Sequence, residues 1–241
     1  MHIILIHGSW HGAWCWYKVV PHLRAAGHTL HVPDLPAHGR DWRFVRGRLG
    51  LTAMTRPLCR MLDQLPEPAM IVAHSRGGII ASQLAELRPD KIHSCVYLAA
   101  YMLRNGERVA DYFRKDKSSL VRKHIQIQRS SLTDSLPEHV QRETLYADCD
   151  EADVELARSL LSAEPSLPAL TRLRLSPSNY GRVPRHYIQL SEDKAVTLAL
   201  QKTMIENSPC ASVHSLQASH SAYFSRPLEL ANVILDIAKK L

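Results

Sequence analysis

A serine, Ser75, stands where an apolar run meets a helical pattern in the segment AMIVAHSRGGIIAS. The run before it, 69–74, is typical of a buried parallel strand, and 79–87 has helical character. Small residues two positions before and after the serine, Ala73 and Gly77, allow a tight turn between the two elements. The pattern predicts a nucleophile elbow, in which the serine hydroxyl is held out for attack on a carbonyl carbon. An ordinary serine-glycine loop is the alternative interpretation.

A serine hydroxyl becomes a nucleophile at neutral pH only beside a base, and a carboxylate must orient that base. Asp193 follows the strand-like run 185–190, and His220 follows the run 212–217. Both residues are therefore predicted at strand ends, Asp193 as the acid and His220 as the base. Glu192 is the competing acid, because the end of a predicted strand is uncertain by a residue or two.

Two other histidines lie close to these elements, in a chain that has 14 histidines in all. His74 adjoins the serine but is expected to point to the other side of its strand. His214 lies within the last strand. Both are assigned structural roles, since most histidines in a folded protein are surface or hydrogen-bonded core residues.

Ester cleavage also needs N–H donors for the tetrahedral oxyanion. One predicted donor is the backbone N–H of Arg76. The other lies in the loop 7–12, HGSWHG, where Ser9 N–H is the first choice and Trp10 N–H the second. That loop lacks the spacing and the lysine of a nucleotide-binding loop. The side chains of Trp10 and Arg76 are candidate substrate contacts, although a structural ion pair is the favoured role for the Arg76 guanidinium.

Along the chain, apolar runs alternate with helical patterns, as in parallel βα units. This alternation predicts the strands and helices that carry the candidate residues. Six strands are predicted, at 2–7, 29–33, 69–74, 94–99, 185–190 and 212–217. Five helices are predicted, at 14–26, 52–65, 79–87, 195–206 and 227–240. The expected fold is α/β, with a six-stranded, mainly parallel sheet flanked by helices.

The alternation stops between the fourth and fifth predicted strands. Residues 101–184 are therefore predicted to form a helical cap, or lid, inserted into a core of 1–100 and 185–241. Short amphipathic helices are expected at 136–146 and 151–162. An excursion of this length above the carboxyl ends of the strands is more often functional than structureless.

Composition limits the class of protein. The chain has 241 residues, of which 45% are hydrophobic and 22% charged, as in an ordinary globular protein of one domain with an insertion. No apolar stretch is long enough to span a membrane, and no signal peptide is expected, because the first strand-like run begins directly after Met1. The five cysteines are scattered, which indicates neither a disulfide framework nor a zinc site. A cytoplasmic protein without membrane or metal partners is expected.

The chain is basic, with a formal net charge of +7. Its densest basic cluster consists of Arg40, Arg43, Arg46 and Arg48. A solvated loop is favoured over a nucleic-acid site, because no recognised binding motif accompanies the cluster. An anionic substrate or partner stays open.

With these residues in place, the chain resembles the α/β-hydrolase superfamily, and within it the plant methylesterase and hydroxynitrile lyase group with its bacterial esterase relatives. The resemblance covers most of the chain. It is strongest in ILIHGSWHGAWCW at 4–16, in the elbow, in SEDK at 191–194 and in SHS at 219–221, and it is loose in the cap. It implies a cofactor-independent serine carboxylesterase for a small ester, with methyl esters among the candidates. The serine, histidine and aspartate named above would form its catalytic triad.

Other activities on this scaffold stay open. The lyase branch has a threonine in the first loop and a lysine directly after the histidine, where this sequence has Gly8 and Ser221. Without the lysine charge that stabilises departing cyanide, ester hydrolysis is favoured. A cofactor-free oxygenase and a hydrolase-like small-molecule receptor are further alternatives. The resemblance leaves a homodimer open as the assembly.

Overall fold

The computed structural model describes residues 1–40 and 49–240. Their strands, numbered along the chain, are β1 (His2–Ile6), β2 (Thr29–His31), β3 (Ala69–His74), β4 (Ile92–Leu98), β5 (Gln126–Gln128), β6 (Thr133–Ser135), β7 (Glu164–Pro165), β8 (Arg185–Leu190) and β9 (Ser212–Leu216). A six-stranded sheet has the order β2-β1-β3-β4-β8-β9. Each neighbouring pair in this sheet is parallel. The α/β fold and all six predicted strands are confirmed.

Helices cover both faces of the sheet, and five short helices lie in the insertion. They are α1 (Val20–Ala25), α2 (Leu51–Gln64), α3 (Gly77–Leu87), α4 (Val109–Lys115), α5 (Leu120–His124), α6 (Glu138–Leu145), α7 (Glu151–Leu160), α8 (Leu167–Leu170), α9 (Leu198–Asn207), α10 (Ala222–Ser225) and α11 (Pro227–Ala238). The helix predicted at 14–26 is divided into a 3-10 turn, Ala13–Trp16, and α1. Pro21 stands in the first turn of α1, where its missing N–H costs nothing.

The sheet has a hydrophobic core on each face. Side chains alternate along a strand, so Ile4 and Ile71 pack with α2 and α3 on one face. Ile3 and Val72 pack with α11 on the other face. β3 is buried at every position, as expected of a central parallel strand covered on both sides.

The insertion is not purely helical, and the expectation of a helical cap needs this correction. β5, β6 and β7 form a separate three-stranded antiparallel sheet within it. β5 is exposed at all three positions, and β7 has only two residues. Neither strand therefore shows the apolar alternation that identifies a half-buried strand. The helices expected at 136–146 and 151–162 are present as α6 and α7.

The last residues of the predicted cap pack against the core. Leu173, Leu175 and Val183 belong to the same apolar cluster as α2 and α3. The backbone N–H of Ser176 donates to Glu86 Oε2 of α3 at 2.7 Å. This segment therefore leads the chain back along the sheet to the start of β8.

Arg40 is the only member of the predicted basic cluster inside the described residues. Its side chain is exposed, and its Nε lies 3.6 Å from Asp34 Oδ2. Arg43, Arg46 and Arg48 lie outside the described residues. Within residues 1–40 and 49–240, no helix has the length and apolar character needed to cross a membrane.

Candidate active site

Ser75 occupies the turn between β3 and α3, with a φ of 54°. A positive φ is unusual for a residue with a Cβ atom and has to be held by its surroundings. The Ser75 N–H donates to the Leu98 carbonyl at 3.2 Å, and the Ser75 carbonyl accepts from Tyr101 N–H at 2.9 Å. The end of β4 thus holds the predicted elbow in its strained conformation.

Close packing explains the glycines around this turn. A Cβ atom on Gly77 would lie 2.7 Å from the His7 carbonyl oxygen. A Cβ atom on Gly8 would lie 2.8 Å from the Cβ of Ser75. Both distances are shorter than atoms tolerate, so only glycine lets the loop after β1 approach the elbow this closely.

The side chains of the three predicted triad residues meet at the carboxyl end of the sheet. His220 Nε2 lies 3.1 Å from Ser75 Oγ, and His220 Nδ1 lies 2.7 Å from Asp193 Oδ2. Asp193 Oδ1 accepts from the backbone N–H groups of Ala195 at 2.7 Å and Val196 at 2.9 Å. Because the Nδ1–H donates to the carboxylate, Nε2 of a neutral His220 is free to accept the serine proton.

Glu192, the competing acid, lies outside this arrangement. Its side chain is exposed and accepts from Gln217 Nε2 at 2.9 Å. Asp193 is therefore the carboxylate that contacts His220.

The two histidines assigned structural roles make structural contacts. His74 donates its Nε2–H to the His220 carbonyl oxygen at 2.9 Å, and the two rings lie 4.4 Å apart. Burial lowers the pKa of His74 well below its usual value, so the ring that packs against His220 is uncharged. His214 lies on the edge strand β9, where its Nε2 is 3.0 Å from Ser212 Oγ.

The predicted oxyanion donors border the same cavity as Ser75. Ser9 and Arg76 line it, and neither backbone N–H has an acceptor within residues 1–40 and 49–240. His7 Nδ1 is 2.8 Å from the Gly8 carbonyl oxygen, which belongs to the same peptide group as Ser9 N–H. In a trans peptide the N–H and the carbonyl point in opposite directions, so His7 fixes the direction of that N–H.

The second choice of donor, Trp10 N–H, is not available to an oxyanion. It donates to Glu164 Oε2 at 2.8 Å. Trp10 also lines the cavity, and its role as a substrate contact stays a prediction.

The cavity above Ser75 has a volume of about 280 Å³. Its walls are largely apolar and come mainly from the insertion. Val109 and Phe113 of α4, Val121 of α5 and Leu170 of α8 line it. A space of this size and character suits a small ester with an apolar acyl group.

The Arg76 side chain forms ion pairs with two acids, in agreement with the structural role predicted for its guanidinium. Its Nη2 lies 2.5 Å from Glu164 Oε1, and its Nη1 lies 3.6 Å from Asp134 Oδ2. Burial lowers the pKa of the Arg76 guanidinium, and Asp134 opposes that shift. Both acids belong to the small sheet of the insertion.

Sequence reasoning missed three residues of this site, namely Asp134, Glu164 and His38. Glu164 Oε2 lies 2.7 Å from His38 Nε2, and Asp134 Oδ1 accepts from the Trp10 indole N–H at 3.0 Å. All three side chains are buried. They are far apart in the sequence and belong to no motif, so no local signal could have identified them. Together with Arg76 they are called the buried charge cluster below.

Comparisons with known proteins extend this description. A model of the alpha/beta hydrolase family matches residues 3–233. The putative chloroplastic methylesterase 11 of Arabidopsis thaliana is 35% identical over 250 residues, which cover 99% of this chain and 64% of that protein. Methylesterase 9 of the same plant is 34% identical over 252 residues, which cover 99% of this chain and 98% of that protein. The crystal structure of an Arabidopsis methylesterase has a TM-score of 0.89 at 27% identity, with 100% of both chains covered.

Proposed function

This chain belongs to the α/β-hydrolase family, and from that premise we propose that it is a serine carboxylesterase acting on small carboxylic esters, methyl esters among them. One observation carries the proposal. An unbroken line of hydrogen bonds runs from Asp193 through His220 to Ser75, beneath an apolar cavity. The methylesterase relatives support an ester as the substrate.

Acylation begins when Ser75 Oγ attacks the acyl carbon and its proton passes to His220 Nε2. Asp193 stabilises the imidazolium through the Nδ1–H bond. The backbone N–H groups of Ser9 and Arg76 bind the oxyanion of the tetrahedral intermediate. The carbon–oxygen bond to the alcohol then breaks, and His220 gives its proton to the departing alkoxide.

Deacylation repeats these steps with water. His220 takes a proton from the water as the oxygen attacks the acyl carbon of the ester on Ser75. The same two N–H groups bind the second oxyanion, and Ser75 leaves with the proton returned by His220. The carboxylic acid is released, and the proposed cycle uses no cofactor.

Replacing the nucleophile tests this proposal. Ser75→Ala should fold normally, lose turnover of methyl, aryl and lactone esters, and lose covalent labelling by an organophosphate. Ser159→Ala, which changes an exposed serine on α7, is the matched control and should keep both. Undiminished ester hydrolysis by Ser75→Ala would overturn the proposal.

Two features of the site disfavour a hydroxynitrile lyase. A Cβ atom at Gly8 would lie 2.8 Å from Ser75 Cβ and 2.9 Å from His74 Nδ1, so the lyase threonine has no room there. At the position of the lyase lysine, Ser221 donates its hydroxyl to Tyr223 OH at 3.0 Å and has no charge. Absence of cyanide release from mandelonitrile is the expected result. Oxygen uptake with a heteroaromatic substrate, or tight ligand binding without turnover, would instead favour the oxygenase or the receptor.

The cysteines bear on the location of the protein. All five cysteines are free thiols, which supports a reducing compartment such as the cytoplasm. A homodimer is the assembly to test by light scattering after size-exclusion chromatography.

A further inference from the structure

Glu164 of the insertion contacts both segments that supply the proposed oxyanion donors, and it binds the backbone of one of them. We infer that Glu164 is a positioning residue, whose carboxylate holds the Ser9–Trp10 loop and the Arg76 side chain so that both N–H donors face the reacting carbonyl. The inference rests on the proposed ester hydrolysis and adds a role for the insertion that no motif of this chain assigns.

The first contact is with the loop. Trp10 has a φ of 65°, a left-handed conformation that is unfavourable for a residue other than glycine and has to be held by its contacts. Glu164 Oε2 accepts the Trp10 N–H at 2.8 Å, and His11 Nδ1 lies 2.7 Å from the Ser9 carbonyl oxygen. The peptide group between Ser9 and Trp10 is thus held at both polar ends. Ser9, whose own N–H is the proposed donor, cannot rotate without breaking one of these bonds.

The second contact is with the other donor residue. Glu164 Oε1 lies 2.5 Å from Arg76 Nη2, and the Arg76 side chain is only 10% exposed. Arg76 directly follows Ser75 and stands at the N-terminus of α3. Fixing its guanidinium restricts the backbone at the point where its N–H must meet the oxyanion. One carboxylate therefore links two donors that come from separate loops.

The small sheet of the insertion places this carboxylate. Glu164 on β7 lies opposite Asp134 on β6, so two acids face each other across the strands. Arg76 lies between them and offsets their repulsion. His38 presents Nδ1 to the Pro36 carbonyl at 3.0 Å and Nε2 to Glu164 at 2.7 Å.

Burial lowers the pKa of His38 to about 4, so its ring is uncharged at neutral pH. A neutral His38 with its proton on Nε2 donates to Glu164 Oε2 and adds no charge to the buried charge cluster. Arg76 is then the cation of the cluster that offsets the two carboxylates.

Substituting Glu164 tests its role in steady-state hydrolysis of p-nitrophenyl butyrate. Glu164→Gln keeps an oxygen for Trp10 N–H but loses the charge that holds Arg76, whereas Glu164→Ala loses both contacts. Removing one oxyanion donor outright costs about 10²- to 10³-fold in kcat, so misplacing the donors should cost roughly 10- to 100-fold. The alanine variant should be slower than the glutamine variant. KM should change little, because the donors act on the transition state.

Inhibition by a transition-state analogue distinguishes a residue that positions the oxyanion donors from one that only stabilises the fold. A linear alkyl trifluoromethyl ketone adds to the serine and places an oxyanion against the same N–H groups. Its inhibition constant should rise by about the same factor as kcat/KM falls. The concentration of folded sites is fixed in each variant by titration with an organophosphate, so partial unfolding does not enter the comparison.

Asp153→Asn is the matched control. Asp153 is another buried carboxylate of the insertion, and it binds Lys18 Nζ at 2.6 Å and Tyr17 OH at 2.8 Å, away from the cavity. The Asp153→Asn variant should have a lower melting temperature than wild type but the same kcat and inhibition constant.

Three outcomes have distinct meanings. A fall in kcat confined to the Glu164 variants supports the inference. Wild-type kcat and inhibition in both Glu164 variants, or equal losses in Asp153→Asn, would overturn it. If the wild-type chain hydrolyses no ester in the panel, the proposed function fails instead.

Discussion

At Asp193 each carboxylate oxygen has a separate task. Oδ2 accepts the Nδ1–H of His220, while Oδ1 accepts two backbone N–H groups. In Asp193→Asn the amide oxygen would satisfy the backbone donors, so the amide NH₂ would face His220. That arrangement places the imidazole proton on Nε2, pointing at Ser75, which is the wrong tautomer for a base. We expect kcat to fall by about 10³- to 10⁴-fold with little change in melting temperature.

Glu192→Gln is the control for that substitution. Glu192 neighbours Asp193, but its side chain is exposed and accepts a hydrogen bond from Gln217. Its kcat for p-nitrophenyl butyrate should match wild type. A large loss in this variant, with Asp193→Asn active, would reverse the assignment of the acid.

The sequence is informative about residues whose role depends on local context. Ser75 is recognisable because a strand, a tight turn and a helix follow one another within a few residues. His220 and Asp193 follow predicted strands, and the carboxyl ends of parallel strands meet at one edge of a sheet. Glu164 has no such context, because its partners Trp10, His38 and Arg76 come from distant segments. Only the fold brings them together.

At the scale of elements, the approach of α3 to β1 depends on Gly77. A Cβ atom there would lie 2.7 Å from the His7 backbone oxygen and 3.2 Å from Ile6 Cγ2. Gly77→Ala should therefore push α3 from the sheet, lower the free energy of unfolding by about 1 to 3 kcal/mol and reduce kcat. Urea unfolding and ester hydrolysis measure the two effects.

Gly181→Ala provides the comparison. A Cβ atom at Gly181 would meet its nearest neighbour, the Ser176 carbonyl oxygen, at 3.4 Å, which is ordinary contact. Its free energy of unfolding should stay within about 0.5 kcal/mol of wild type. Equal stability of the two variants would contradict the close contact between residue 77 and the His7 backbone oxygen.

The core strands β1 and β3 are buried at nearly every position, so they are recognisable as almost continuous apolar runs. The edge strands β2 and β9 are partly exposed and have a weaker pattern. The strands of the insertion are short and lie at the surface or over the site. Their polar residues, such as Gln126 and Thr133, follow no alternation. The small sheet is formed by tertiary pairing, which a single-sequence pattern does not record.

At the scale of the whole molecule, buried histidines make stability depend on pH. Burial lowers the pKa of His7 and His74 well below the usual 6.5 and that of His11 to about 3. Below pH 6.5 the unfolded chain therefore binds protons that the folded chain does not, so stability falls as pH falls. Between about pH 7.5 and pH 5.5, the free energy of unfolding should drop on the order of 4 kcal/mol from these three groups. Urea unfolding across that interval measures the slope.

The variant His93→Gln tests whether buried histidines cause the pH dependence of the free energy of unfolding. His93 is exposed on β4, so removing it should leave the pH dependence unchanged. Stability that stays level or rises from pH 7.5 to pH 5.5 would contradict the assignment of uncharged buried histidines.

The order of strands also says how much of the chain the site requires. β1 to β4 lie within residues 2–98, whereas β8 and β9, which place Asp193 and His220, follow the intervening residues 99–184. Because synthesis runs from the N-terminus, a growing chain has Ser75 long before it has the acid and the base. Ester hydrolysis by the proposed triad therefore requires the chain at least as far as His220.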